Sequence, residues 1–135
     1  MPIVVEHLND ATCQDQQDQQ DLHKIYRDAP AWLFGPFDDA AQLVQSCLED
    51  GSLIAARFND RLLGAARLQR HQNVWHLSQM CVRNITRRRG VAERLASEAR
   101  RTAEENGAEL RLLAPPGHLE AQALAAKLKL PLDEC

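Results

Sequence analysis

Apolar positions along this 135-residue chain keep two rhythms, and the places where one gives way to the other predict its elements. Residues 2–8, with Ile3, Val4, Val5 and Leu8, read as a strand. Thr12 with Asp15 resembles a helix-starting cap, so the glutamine- and aspartate-rich run 14–21 becomes the polar first part of a helix. Leu22, Ile25 and Tyr26 form its apolar stripe, and Pro30 stops it. Asp38 or Asp39 caps a second helix that turns Leu43, Val44, Cys47 and Leu48 to one face and ends at Gly51. Leu53 to Phe58 and Arg61 to Arg70 are β-like runs joined at Asn59-Asp60, a hairpin signal. Gln72-Asn73 marks another turn, and Val74 to Val82 is the third strand of this meander. A main helix over about 90–106 places Val91, Leu95, Ala99 and Ala103 four apart and ends at Gly107. Leu110 to Ala114 is a short strand, Pro115-Pro116-Gly117 breaks the chain, and Leu119 to Leu128 is a last helix. The tail 130–135 has room for at most one short strand. The order is β-α-α-β-β-β-α-β-α, with no repeat, low-complexity tract or linker, which predicts a single domain over 1–135.

Composition is that of an ordinary globular protein, 44% hydrophobic and 26% charged. No apolar run approaches the roughly 20 residues of a membrane helix. The N-terminus has no basic region before its short apolar run, so a cytoplasmic location without membrane attachment is expected. The cysteines at 13, 47, 81 and 135 have no metal-knuckle or Cys-x-x-Cys spacing, and the five histidines are scattered, so no metal site is expected. Cys47 and Cys81 lie in apolar contexts that suit small core residues.

The charge changes the picture more by its distribution than by its net value of −3. Residues 1–52 carry two basic and ten acidic side chains, whereas residues 83–101 carry seven arginines against Glu93 and Glu98. The positive cluster centres on Arg87-Arg88-Arg89-Gly90-Val91-Ala92, between a predicted strand and a predicted helix. A glycine there lets the backbone approach a ligand, and the first turn of the helix offers N–H groups and the positive end of its dipole. Both favour phosphate, and guanidinium forks pair with phosphate oxygens. A local positive field in an acidic chain suits a small polyanion better than long nucleic acid, whose backbone would meet the acidic remainder. A solvated turn and a nucleic-acid patch are the competing readings of the same arginines.

The spacing Arg-x-x-Gly-x-Ala at 87, 90 and 92 resembles the pyrophosphate loop of the Gcn5-related N-acetyltransferase (GNAT) family, which binds coenzyme A. Ala55 to Leu63, Val82 to Val91 and Asp21 to Tyr26 are similar to its PanZ (PanM) branch, whose members are acetyl-CoA-binding regulators of aspartate 1-decarboxylase maturation. The likeness is read over about residues 1–95, with Ala92 standing where that branch usually has glycine. It implies the GNAT α/β (α+β) fold, a mixed, mostly antiparallel sheet flanked by helices. It implies acetyl-CoA or CoA held by Met80, Cys81 and Val82, on a strand that splays from its neighbour, and by Arg87, Arg88, Arg89, Gly90, Val91 and Ala92. It also implies a protein partner, the decarboxylase, touched by Arg57 and Asn59 at the first hairpin.

Acetyl transfer to an amine needs a proton acceptor and commonly an acid for the leaving thiolate. Relatives commonly draw a glutamate from the strand before the loop and a hydroxyl from the last helix region. Val74 to Val82 holds no carboxylate, and His76 is its one titratable base besides Cys81. No Ser, Thr or Tyr follows Thr102. These features favour a binding or sensing role over N-acetyltransferase activity, the alternative reading. The aromatic run Trp32 to Phe37 reads as a core flap or as a pocket lining.

Overall fold

Residues 3–9, 16–27, 29, 33, 37–83 and 90–134 are described in a computed structural model of the chain. Among the described residues ten elements follow one another: β1 (Val4–Leu8), α1 (Gln16–Arg27), α2 (Ala40–Asp50), β2 (Leu53–Phe58), β3 (Arg61–His71), β4 (Val74–Val82), α3 (Val91–Glu105), β5 (Glu109–Ala114), α4 (Leu119–Leu128) and β6 (Leu132–Glu134). The strands form one sheet in sequence order. β1 to β4 pair antiparallel, and β5 and β6 join parallel to their predecessors. This is the mixed, mostly antiparallel arrangement expected, with the tail supplying β6.

Local chemistry sets the turns. Asn59 and Asp60 both take positive φ, 50° and 68°, so their two-residue loop matches the twist of the strands it joins. Of the two aspartates offered as a cap for α2, Asp39 serves: its Oδ1 accepts from the Gln42 N–H at 2.8 Å. Gly51, at φ 72°, closes that helix as expected. The Thr12-Asp15 cap and most of the aromatic run lie outside the described residues.

The sheet separates two cores. On one face α3 buries Val91, Leu95, Ala96, Ala99 and Ala103 against Ile54, Ala66, Leu68, Trp75, Leu77, Leu110 and Leu112. On the other, α1 and α2 bury Leu22, Ile25, Tyr26, Leu43, Val44, Cys47 and Leu48 against Leu53, Ala55, Leu62 and Ala65. Cys47 is therefore a core residue, and burial pushes its thiol pKa up.

Candidate functional site

β4 and β5 pair only from Val74–Glu109 to Leu77–Leu112, although β4 continues to Val82 and β5 to Ala114. Beyond Leu77 the two strands part, and the end of β5 pairs on its other side with β6. Among the described residues no strand pairs with residues 78–82 on the β5 side, and a strand edge of this kind is where the amide groups of a guest could add. Met80, Cys81 and Val82, named from the sequence for this role, all lie on that stretch and are half-buried. Met80 and Val82 pack toward α3 and Cys81 toward α1 and α2.

A bulge accompanies the splay. Ala65 faces Cys81 and Arg67 faces Ser78, so β4 holds one residue more than β3 between these pairs, and Gln79 takes φ 49°. A bulge bends its strand. Two bonds from α1 brace it: the Tyr26 hydroxyl donates to the Gln79 carbonyl at 2.8 Å, and the Cys81 thiol donates to the Ile25 carbonyl at 3.1 Å. Tyr26 is fully buried, and burial above all, then Cys81 and Cys47, raises its pKa well above the ordinary value, so it stays a neutral donor. From the sequence Tyr26 was only part of a helical stripe.

The start of α3 is placed by a glycine the sequence reading passed over. A Cβ on Gly64 of β3 would lie 2.9 Å from Val91 Cγ1, 3.2 Å from Val82 Cγ2 and 3.3 Å from the Cys81 carbonyl oxygen. The missing side chain lets the first residue of α3 sit directly on β3 and β4 where the splay opens; a glycine inside a strand pattern was the available signal. Val91 is fully buried, so only its backbone N–H could serve a ligand. Gly90 precedes it at φ 72°, and among the described residues no side chain caps the helix there and a Cβ on Gly90 would meet nothing within 4 Å. Among the described residues the space before this helix N-terminus is open and uncapped, which suits an anion, with the N–H groups of the first turn, including that of Ala92, directed at it. Arg87, Arg88 and Arg89 lie outside the described residues. The residues present thus fit a pantetheine arm along β4 and a pyrophosphate before α3.

Arg57 is committed inside the fold: its guanidinium reaches Glu6 at 2.8 and 3.1 Å and Asp18 at 2.7 and 3.0 Å. Arg61 pairs with the fully buried Asp21 at 2.7 Å, and the Leu62 N–H donates to the same carboxylate at 3.2 Å. Burial raises the Asp21 pKa, but hydrogen bonds from Arg61, Leu62 and Gln17 outweigh it and hold the group below its usual range. The arginines flanking the turn therefore clamp α1 through aspartates three apart on that helix. Asn59 stays exposed at the tip.

His76 is also engaged. Its Nε2 lies 2.8 Å from Asp133 Oδ2, and Arg111 grips both oxygens of Asp133 at 2.8 Å, tying β4, β5 and β6 together. Arg111, then His76, holds the Asp133 pKa down to about 2. Among the described residues no group of three or more His, Cys, Asp or Glu side chains could hold a metal ion, and no helix is long and apolar enough to cross a membrane.

The family model for the acetyltransferase (GNAT) domain PanZ matches residues 2–132. The chain belongs to the PanZ family of GNAT domains. The PanZ likeness thus runs through α3, β5 and α4 instead of fading near residue 95. The PanD regulatory factor of Salmonella typhimurium is 43% identical over 82 residues, a match that takes in 61% of this chain and 56% of that protein. The GNAT fold of this PanZ domain is shared with several solved structures. The PaiA N-acetyltransferase of Thermoplasma acidophilum, in complex with coenzyme A, superposes with a TM-score of 0.66 at 15% identity, over 95% of this chain and 89% of its own. Diaminobutyrate acetyltransferase EctA of Paenibacillus lautus, in complex with L-2,4-diaminobutyric acid and coenzyme A, gives 0.68 at 12%, over 94% and 74%. A probable acetyltransferase of Staphylococcus epidermidis gives 0.69 at 15%, over 94% and 82%.

Proposed function

We propose that this PanZ-family domain binds acetyl-CoA or CoA in the β4–β5 splay and acts as an acetyl-CoA-dependent regulator of aspartate 1-decarboxylase. The observation that carries the cofactor reading is the parting of β4 and β5 beyond Leu77, with the start of α3 seated beside it by Gly64. Backbone groups of Met80, Cys81 and Val82 would hold the pantetheine amides. The N–H groups of Val91 and Ala92, the open approach at Gly90, and Arg87, Arg88 and Arg89 would hold the pyrophosphate. The coenzyme A complexes of PaiA and EctA support a cofactor of this class in the shared fold. The regulatory role draws support from the family match and from the name of the Salmonella relative. In this reading Asn59 is the hairpin's contact with the decarboxylase, and Arg57, through Glu6 and Asp18, sets the shape of the surface that carries it.

One observation favours N-acetyltransferase activity as a second reading, the pairing of His76 with Asp133. A carboxylate is acceptor-only, so in the neutral ring the Nε2–H donates to Asp133 and Nδ1 keeps its lone pair for an amine proton. Bound acetyl-CoA would supply the activated acyl group.

One set of measurements separates the readings. Acetyl-CoA at 100 times its dissociation constant should stabilise the fold by about 2.7 kcal/mol in thermal melts. Capture of aspartate decarboxylase should require acetyl-CoA and weaken in Asn59→Ala while acetyl-CoA affinity is kept. By linkage, the decarboxylase should tighten acetyl-CoA binding by the same factor. Steady release of CoA with an amine acceptor, abolished in His76→Ala and insensitive to Asn59→Ala, would refute the regulator and establish the enzyme. No melting shift with acetyl-CoA or CoA in cofactor-free protein would sink both.

A further inference from the structure

Among the described residues Arg67 of β3 is a cation that the fold leaves without an acceptor. Arg57, Arg61, Arg70, Arg94, Arg100, Arg101 and Arg111 each donate to a carboxylate, a carbonyl or a histidine ring. Among the described residues Arg67 has no hydrogen bond and no ion pair, and its Nε is buried without a partner. A buried donor with no acceptor is rare in a native fold, because nothing replaces the water it gave up.

Its surroundings are those of a site. The guanidinium lies over the ring of Phe37, 5.1 Å from the centroid, and stacking of this kind holds the plane while leaving its N–H edges to point elsewhere. Arg67 faces Leu53 on one neighbouring strand and Ser78 on the other, which puts it on the α1/α2 side of the sheet. Ser78 is the first residue of β4 beyond the pairing with β5. The side chain is half-buried, so it remains within reach of a ligand entering beside the bulge.

We propose that Arg67, stacked on Phe37, is a carboxylate-recognition site on the α1/α2 face of the sheet. One fixed fork matches the two oxygens of one carboxylate, and a single half-buried positive charge is balanced by a single negative one. A phosphate would bring excess charge into the same space. The carboxylate belongs to an amino-acid-sized ligand or to the end of a peptide chain. The assignment stands on the surroundings of Arg67 and holds whether or not coenzyme A occupies the splay.

The test is a titration of the folded full chain followed through the arginine Nε–H resonances in ¹H–¹⁵N spectra. It is run with sodium acetate, L-aspartate, inorganic phosphate, and a short peptide with either a free or an amidated C-terminus, each against sodium chloride at equal ionic strength. The Arg67 Nε–H signal, identified by its loss in Arg67→Lys, should shift saturably with carboxylates and not with chloride. Affinity, followed by backbone amide signals of Ser78 and its neighbours, should fall at least about tenfold in Arg67→Lys, which keeps the charge and loses the fork. Tighter binding of L-aspartate assigns the small ligand. Tighter binding of the free-ended peptide, lost on amidation, assigns the chain end. An Nε–H signal unmoved by every carboxylate, equal binding by Arg67→Lys, or tighter binding of inorganic phosphate than of any carboxylate overturns the proposal.

Discussion

Replacing Gly64 by alanine tests whether the site is built by close packing between α3 and the sheet. The added methyl would stand 2.9 Å from Val91 Cγ1 and 3.3 Å from the Cys81 carbonyl oxygen. The first neighbour is a stiff β-branched side chain that is fully buried, and the second is backbone at the splay, so neither yields without moving α3 or β4. Overpacking of this kind costs about 1–3 kcal/mol. The lower entropy of the unfolded alanine chain returns about 0.4–1 kcal/mol. A net loss of about 1–2 kcal/mol remains, which for a domain of this size lowers Tm by roughly 4–8 °C. Because the strain falls between the helix N-terminus and Cys81, coenzyme A affinity measured by calorimetry should drop as well. Val91→Ala removes the nearest clashing atom. In a double-mutant cycle the two changes should therefore couple by about 1 kcal/mol in the favourable direction, with part of the affinity restored. A Gly64→Ala protein that melts within about 1 °C of its parent, or a cycle that is strictly additive, would refute the packing argument.

Three further outcomes follow from the same geometry. Gly90→Asp puts negative charge into the open space before α3, so cofactor binding should be lost while a left-handed non-glycine residue costs the fold only about 1–2 kcal/mol; unchanged affinity by calorimetry would place the pyrophosphate elsewhere. Asp21→Ala strips the acceptor from Leu62 N–H and Arg61 and should cost about 2–3 kcal/mol in urea unfolding, with Asp21→Asn costing less because an amide oxygen remains. For Asp133 the folded pKa, about 2, is below the ordinary 3.8, so its contribution is complete above pH 3.8 and lost as pH falls through 2. Solvent exposure of the cluster discounts that contribution to about 1 kcal/mol, and Asp133→Asn should remove it at pH 6 and flatten the stability curve between pH 4 and 2.

Sequence periodicity and turn chemistry were enough for the order of elements, because each depends on a few neighbouring residues. Val91, Leu95, Ala99 and Ala103 announce one buried helical face, and Asn59-Asp60 announces the hairpin, without reference to the rest of the chain. The glycine before α3 was legible for the same reason, since a turn residue followed by a helical stripe defines an N-terminus locally. Tertiary structure alone decided the remainder, because it joins residues far apart in the chain. From the sequence Arg57 only flanks a turn; the fold pairs it with Glu6 and Asp18, 51 and 39 positions away. Tyr26 acquired its role from a carbonyl 53 positions on, His76 from Asp133, 57 positions on, and Gly64 from the helix that lands on it. Arg67 was one arginine among many in the sequence; only the assembled sheet, by giving Arg57, Arg61, Arg70 and Arg111 acceptors and leaving Arg67 without one among the described residues, distinguished it.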